Sequence, residues 1–171
     1  MVFKTLGCVL IVAAFAATGM TYTSSLNKRI CGLSSMIELF SAIKIKINYE
    51  FTSLPEILSA PSLQTKKETA DFLKNCATLM ENGKDLKHSW NQSIDRFSEK
   101  MFLDKGDVTI LKDFSANLGD SDVGGQIANI SLYLDLLKAN LKKAETIAKD
   151  KTRVAMSLSV FSGLIFSILL V

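Results

Sequence analysis

Two uncharged stretches bracket this chain, at residues 5–27 and 154–171, and every charged side chain except Lys4 lies between them. A helix rising 1.5 Å per residue crosses a hydrocarbon core of roughly 30 Å with about 20 apolar residues. Each stretch is near that length. The sequence therefore reads as an N-terminal transmembrane helix (1–27), a polar segment (28–153) and a C-terminal transmembrane helix (154–171). A cleaved signal peptide is the competing reading of the first stretch, because Lys4 precedes an apolar run with small residues in "AFAAT". A lipoprotein signal is discounted, since Cys8 in "LGC" stands too near the start for an apolar region to precede it. A buried core helix competes for the second stretch, but a helix apolar on all sides needs protein on all sides to bury it.

Lysine and arginine near the membrane ends set the expected orientation. Lys28 and Arg29 follow the first stretch, while Lys149, Lys151 and Arg153 precede the second. Both inner flanks are basic, which puts the middle segment in the cytoplasm and the two outer ends across the membrane. Acidic and basic residues are interspersed through that segment, so no nucleic-acid footprint is present. The cysteines, Cys8, Cys31 and Cys76, are odd in number and one lies in a span. They read as thiols of a reducing compartment rather than as a disulfide framework.

Within the middle segment apolar residues recur at intervals of three and four, the period of a helix with one buried face. One such stripe is Ile30, Leu33, Ile37, Phe40, Ile43 and Ile47; a second is Ala70, Leu73, Ala77 and Met80. A third comprises Leu86, Trp90, Ile94, Phe97 and Met101, and a fourth Val108, Leu111, Phe114 and Leu118. The last is Ile127, Ile130, Leu134, Leu137, Leu141, Ala144 and Ala148. Ser53 before Pro55 and Glu56 predicts a short helix to about Ser59, and Thr65 with Glu68 predicts another capping box. Gly83 is the expected stop of the second stripe. No stretch alternates with period two, so the fold class is all-α: an antiparallel helical bundle flanked by the two transmembrane helices.

The segment "NLGDSDVGGQ" interrupts this pattern. Gly119 suits the positive φ that ends a helix, and Asp120 or Ser121 suits the cap of the next. A phosphate-binding loop is the rival reading, because helix N-terminal amides attract anions. Against it, no strand precedes the turn, the G-x-x-x-x-G-K-[ST] pattern is absent, and Asp120 and Asp122 repel phosphate. Gly124 and Gly125 each cost about 1 kcal/mol of helical stability relative to alanine, which predicts a close helix crossing as compensation.

The residues give no sign of catalysis. His88 is the only histidine, so a zinc site has at most one such ligand. Cys31 and Cys76 lack C-x-x-C spacing, Asp120 and Asp122 read as helix caps, and no Ser, Thr or Cys stands in a nucleophile motif. Trp90, Phe97 and Phe114 read as core anchors rather than as a base-stacking platform. A noncatalytic protein with no cofactor, no metal and no nucleic-acid partner is expected.

Particular segments carry a resemblance along almost the whole chain: "KTLGCVLIVAA" from Lys4, "NYEFTSLPEIL" from Asn48, Trp90 within "HSWNQSI", "LKDFSANLGDSDVGGQ" from Leu111, and the terminal "SGLIFSILLV". In their order and spacing the chain resembles the stage III sporulation protein AB family of endospore-forming bacteria. It departs from that family's pattern, of the kind E-I-x-Y-x-x-T-P-L-P, in "KINYEFTSLP": Lys46 replaces the acid and Ser53 the first proline. Tyr49, Leu54 and Pro55 still match.

The resemblance implies a helical domain similar to the platform-protein domains of type II secretion and type IV pilus machines. It also implies a noncatalytic component of the channel-like complex between mother cell and forespore, with its soluble domain in the mother-cell cytoplasm at the outer forespore membrane. The implied partners are a cytoplasmic secretion-type ATPase, the sibling stage III sporulation protein AA, other membrane components of the complex, and the lipid bilayer. Structural or partner candidates are Tyr49, Leu54, Pro55, Trp90, Phe114, Gly119, Asp120, Asp122 and Gln126. A membrane-anchored adaptor or sensor that binds a regulatory protein is the alternative.

Overall fold

The computed structural model describes residues 2–50, 52–59, 66–116 and 123–170, and apolar residues at helical spacing organise these described residues into six helices. Within these, the side chains of residues 2–6, 8–23, 59, 155–156 and 158–170 are outside the description. The helices are α1 (Val2–Glu50), α2 (Leu54–Ser59), α3 (Lys67–Glu81), α4 (Leu86–Phe97), α5 (Lys105–Ala116) and α6 (Val123–Leu170). No strand occurs among the described residues, so the chain is all-α. Helix α1 passes through Gly32 without a break. Both uncharged stretches fall largely within α1 and α6, but most of their side chains lie outside the described residues. Among the described residues no helix is long and apolar enough to cross a membrane.

Residues Lys28–Lys142 form one compact unit, and Met1–Asn27 with Lys143–Val171 another. In the first, α2 packs on α3, α3 on α4 and α4 on α5. The portion of α1 in this unit buries Leu33, Met36, Leu39, Phe40, Ile43 and Ile47, whereas Ile30 and Ile37 are only half-buried. The expected stripe was too narrow. Phe40 meets rings from both α4 and α5, and Ser35 meets α3, so a wide face of α1 is covered. In α3 the buried set is Thr69, Phe72, Leu73 and Cys76, while Ala70 is exposed and Ala77 and Met80 are half-buried. The apolar area of Phe72 outweighs that of the two alanines, and this rotates the buried face away from the expected one.

Two helix ends show how local sequence sets the path of the chain. After α3, Gly83 has φ of 80°, its N–H donates to the Met80 carbonyl, and the Lys84 N–H donates to the Leu79 carbonyl. This is the Schellman arrangement, and glycine enters its left-handed position without steric cost. The same pair of bonds recurs beyond α4, from Phe102 N–H to Glu99 and from Leu103 N–H to Ser98. Here the left-handed residue is Phe102, with φ of 56°. Helix α3 begins with Lys66 at the N-cap, whose side chain makes no cap bond; the expected Thr65–Glu68 box involves Thr65, which is outside the described residues. The interrupting turn, with Gly119, Asp120, Ser121 and Asp122, is also outside them. Gly124 is exposed and Gly125 half-buried. A close backbone approach occurs at Gly32, where a Cβ would collide with the Met101 carbonyl oxygen.

Candidate functional site

Trp90 is fully buried at the centre of the helical unit. Its ring makes edge contacts with Phe40 of α1, Phe72 of α3 and Phe114 of α5 at centroid distances of 5.9, 5.0 and 5.3 Å. Phe40 and Phe114 stand 4.5 Å apart, and Phe114 meets Tyr133 of α6 at 5.5 Å. One aromatic cluster thus draws on five helices, and edge-to-face pairs of this kind add about 0.5–1.5 kcal/mol each to simple burial. The indole N–H donates to the Leu111 carbonyl at 2.8 Å, so the one polar atom of Trp90 is satisfied in the core.

A second constellation is polar. Asp104 caps α5 by accepting from the Asp107 N–H at 2.9 Å, and the Asp107 carboxylate accepts from the Asp104 N–H at 3.1 Å. The reciprocal pair is a capping box with aspartate at both positions. The fully buried Asp107 carboxylate also accepts from Arg29 Nε at 2.9 Å and Nη2 at 3.0 Å, a bidentate fork, and from Asn140 Nδ2 at 2.8 Å. Arg29 Nη2 reaches Asp104 at 2.7 Å as well. This clamp joins α1, the first turn of α5, and α6.

Burial alone would push the Asp107 carboxyl up. The Arg29 fork, the Asp104 amide and Asn140 outweigh it and hold the group below the usual carboxylate range. Arg29 is held further toward its charged form, chiefly by the same hydrogen bonds to Asp107. With four donors on its two oxygens, Asp107 is a fixed anion and a poor proton acceptor. Asp104 and Asp107 stand in no motif that marks a functional site in the sequence, although D-x-x-D ahead of an apolar stripe is a usable signal for a cap.

The residues flagged in the sequence divide between core and surface. Trp90 and Phe114 are fully buried, and Leu54 is buried in α2. Tyr49 is 75% exposed, Ile45 one turn before it is 56% exposed, and Pro55 is exposed. Gln126 is half-buried near the start of α6, and Gly119, Asp120 and Asp122 are outside the described residues. Lys46 pairs with Glu50 at 3.0 Å, which partly neutralises the charge that replaces the family acid. His88 is exposed on α4, and its backbone N–H donates to the Asp85 cap. Cys76 is buried and its thiol is pushed up to about 11, mainly by burial, with a smaller opposing effect of Ser93. Among the described residues no group of three His, Cys, Asp or Glu side chains is placed to hold a metal ion.

These features define an all-α protein built around an aromatic core and a buried charge clamp. It belongs to the Stage III sporulation protein AB family, whose sequence profile it matches over residues 4–171. Stage III sporulation protein AB of Bacillus subtilis (strain 168) is 26% identical over 168 residues, 98% of each chain. A solved structure of Stage III sporulation protein AB (SpoIIIAB) matches with a TM-score of 0.55 at 23% identity, covering 73% of this chain and 94% of that one. This structural likeness shows a shared fold. Family membership gives the chain a role in sporulation.

Proposed function

We propose that the chain is a noncatalytic, membrane-anchored platform of the mother cell to forespore complex. In this reading residues 1–27 and 154–171 span the membrane, and the helical unit stands in the mother-cell cytoplasm, where it couples a secretion-type ATPase to the membrane assembly. The carrying observation is that α1 and α6 each include an uncharged stretch and continue without a break into helices of the folded unit.

The exposed residues Ile45 and Tyr49 support a partner surface, since large apolar groups side by side on a helix are a usual mark of one. From Lys28 to Tyr49, α1 advances roughly 32 Å at 1.5 Å per residue, so this surface stands well along the helix from the proposed membrane end. Asp107, saturated by its donors, supports the noncatalytic reading. Binding of the full chain in lipid nanodiscs to the stage III AA ATPase tests the coupling. Specific binding that Ile45→Ser with Tyr49→Ala weakens is expected. No binding, with other membrane components of the complex present, would remove the coupling role.

A further inference from the structure

A cavity of about 320 Å³ is lined by α1, the start of α3 and the turn after α4. This is at the small end of ligand pockets, roughly 300–1,000 Å³. Three lysines line it, Lys28, Lys66 and Lys100, against one acid, Glu68. Among the described residues none of the three lysines is in an ion pair. Lys28 lies 4.8 Å from the centroid of the Phe102 ring, Lys100 lies 4.9 Å from that of Phe97, and Lys66 approaches Cys31 Sγ at 3.2 Å.

The backbone adds to this positive field. The first hydrogen bond of α3 runs from the Ala70 N–H to the Lys66 carbonyl, so the amides of Lys67, Glu68 and Thr69 precede the helical ladder. Lys66 supplies no side-chain cap for them. Amides at the positive end of a helix favour an anion. The cavity edge also holds Phe102, left-handed in backbone and 41% exposed. A non-glycine residue held there at steric cost is a feature that concentrates at functional positions.

We propose that this cavity binds the phosphate of an anionic lipid headgroup. The inference rests on the membrane-anchored reading: Lys28, which lines the cavity, is the first charged residue after the uncharged stretch, the position at which a basic side chain meets lipid headgroups if that stretch is embedded. The three lysines attract the phosphate, the α3 amides receive its oxygens, and the aromatic ring meets the glycerol and upper acyl region. Free phosphate shares the headgroup chemistry but lacks the apolar contact.

Cys31 lines the cavity and is exposed, which makes it a local reporter. The full chain carrying Cys8→Ser is reconstituted in phosphatidylcholine vesicles with increasing phosphatidylglycerol, and the rate of maleimide reaction at Cys31 is followed. Phosphatidylglycerol is expected to slow the reaction in the parent. Each lysine contributes about fivefold to the apparent affinity, so the midpoint shifts about fivefold in Lys66→Gln and roughly a hundredfold when Lys28→Gln and Lys100→Gln are added. Equal protection by inorganic phosphate in pure phosphatidylcholine vesicles would overturn the lipid assignment. Unchanged reaction rates in chains that float with the vesicles after alkaline extraction would overturn the site and leave the anchor standing. Failure to float at all would remove the anchor, and the lipid site with it. The single variant Lys66→Gln, at an exposed position, keeps the test valid if the triple variant misfolds.

Discussion

The aromatic cluster around Trp90 and the clamp around Asp107 both join α1 to the rest of the helical unit, but by different physics. Burial of rings is non-directional and draws five helices together with modest demands on geometry. The clamp places four donors on one carboxylate and so depends on the register of α1 and α6 against the first turn of α5. The core thus supplies cohesion, while the clamp selects an arrangement. A buried ion pair adds little net stability over an apolar replacement, although losing one partner is costly.

Substitutions in each region separate the two contributions, taken in order of expected effect. Trp90→Ala should cost about 3–5 kcal/mol, the usual range for a buried tryptophan, as a lower midpoint in chemical unfolding of the detergent-solubilised chain. Asp107→Ala should approach the same loss, about 3 kcal/mol or more, because Arg29 is left without its buried partner. Arg29→Met combined with Asp107→Leu should recover part of that loss, because the uncompensated charge is gone while Asn140 and the Asp104 N–H still lose their acceptor. A double variant as unstable as the single one would show that the clamp contributes cohesion as well as register.

Gly32→Ala lies between the two regions. Its new methyl group meets the Met101 carbonyl, backbone that cannot rotate away, so a loss of about 1–3 kcal/mol is expected. Wild-type stability in this variant would mean that the turn after α4 moves freely over α1.

The smallest effect is the pH dependence. Because the folded Asp107 carboxyl is depressed, its contribution is complete above the unfolded value of about 4 and is lost as pH falls through the lower folded value. Asp107→Asn should flatten this acid limb of the unfolding midpoint. At the other end, Cys76 contributes below the unfolded thiol value of about 8.5 and loses that contribution as pH rises toward its folded value. Cys76→Ala should flatten the alkaline limb and leave the acid limb unchanged.

The same contrast explains what was legible in the sequence. Trp90, Ile94, Phe97 and Met101 announce a buried face through spacing alone, and all four are buried. Spacing was right only in part in α3, where Leu73 is buried but the two alanines that fit the period are not, and Phe72 and Cys76 carry the rest of the burial. The Arg29–Asp107 contact spans 78 positions, and local periodicity has no access to a pairing of that range. Arg29 follows Lys28 after the uncharged stretch, and nothing in its sequence neighbourhood announces that its guanidinium is engaged by Asp104 and Asp107. Gly83 marked a left-handed turn in the usual way, whereas Phe102 occupies the same conformation with a side chain that conceals it. At Gly32 the glycine permits contact from a distant carbonyl rather than a bend in its own helix.

Membrane topology tests the platform account most directly. Cys76 is too buried to report it, so the chain carries Cys8→Ser and Cys31→Ser with an accessible thiol introduced by Gln92→Cys on the exposed side of α4. A membrane-impermeant maleimide is applied before engulfment to intact and to permeabilised cells. The account predicts labelling of the Gln92→Cys chain only after permeabilisation. Labelling in intact cells would place the helical unit outside the cytoplasm, beyond reach of the ATPase, and contradict the platform role.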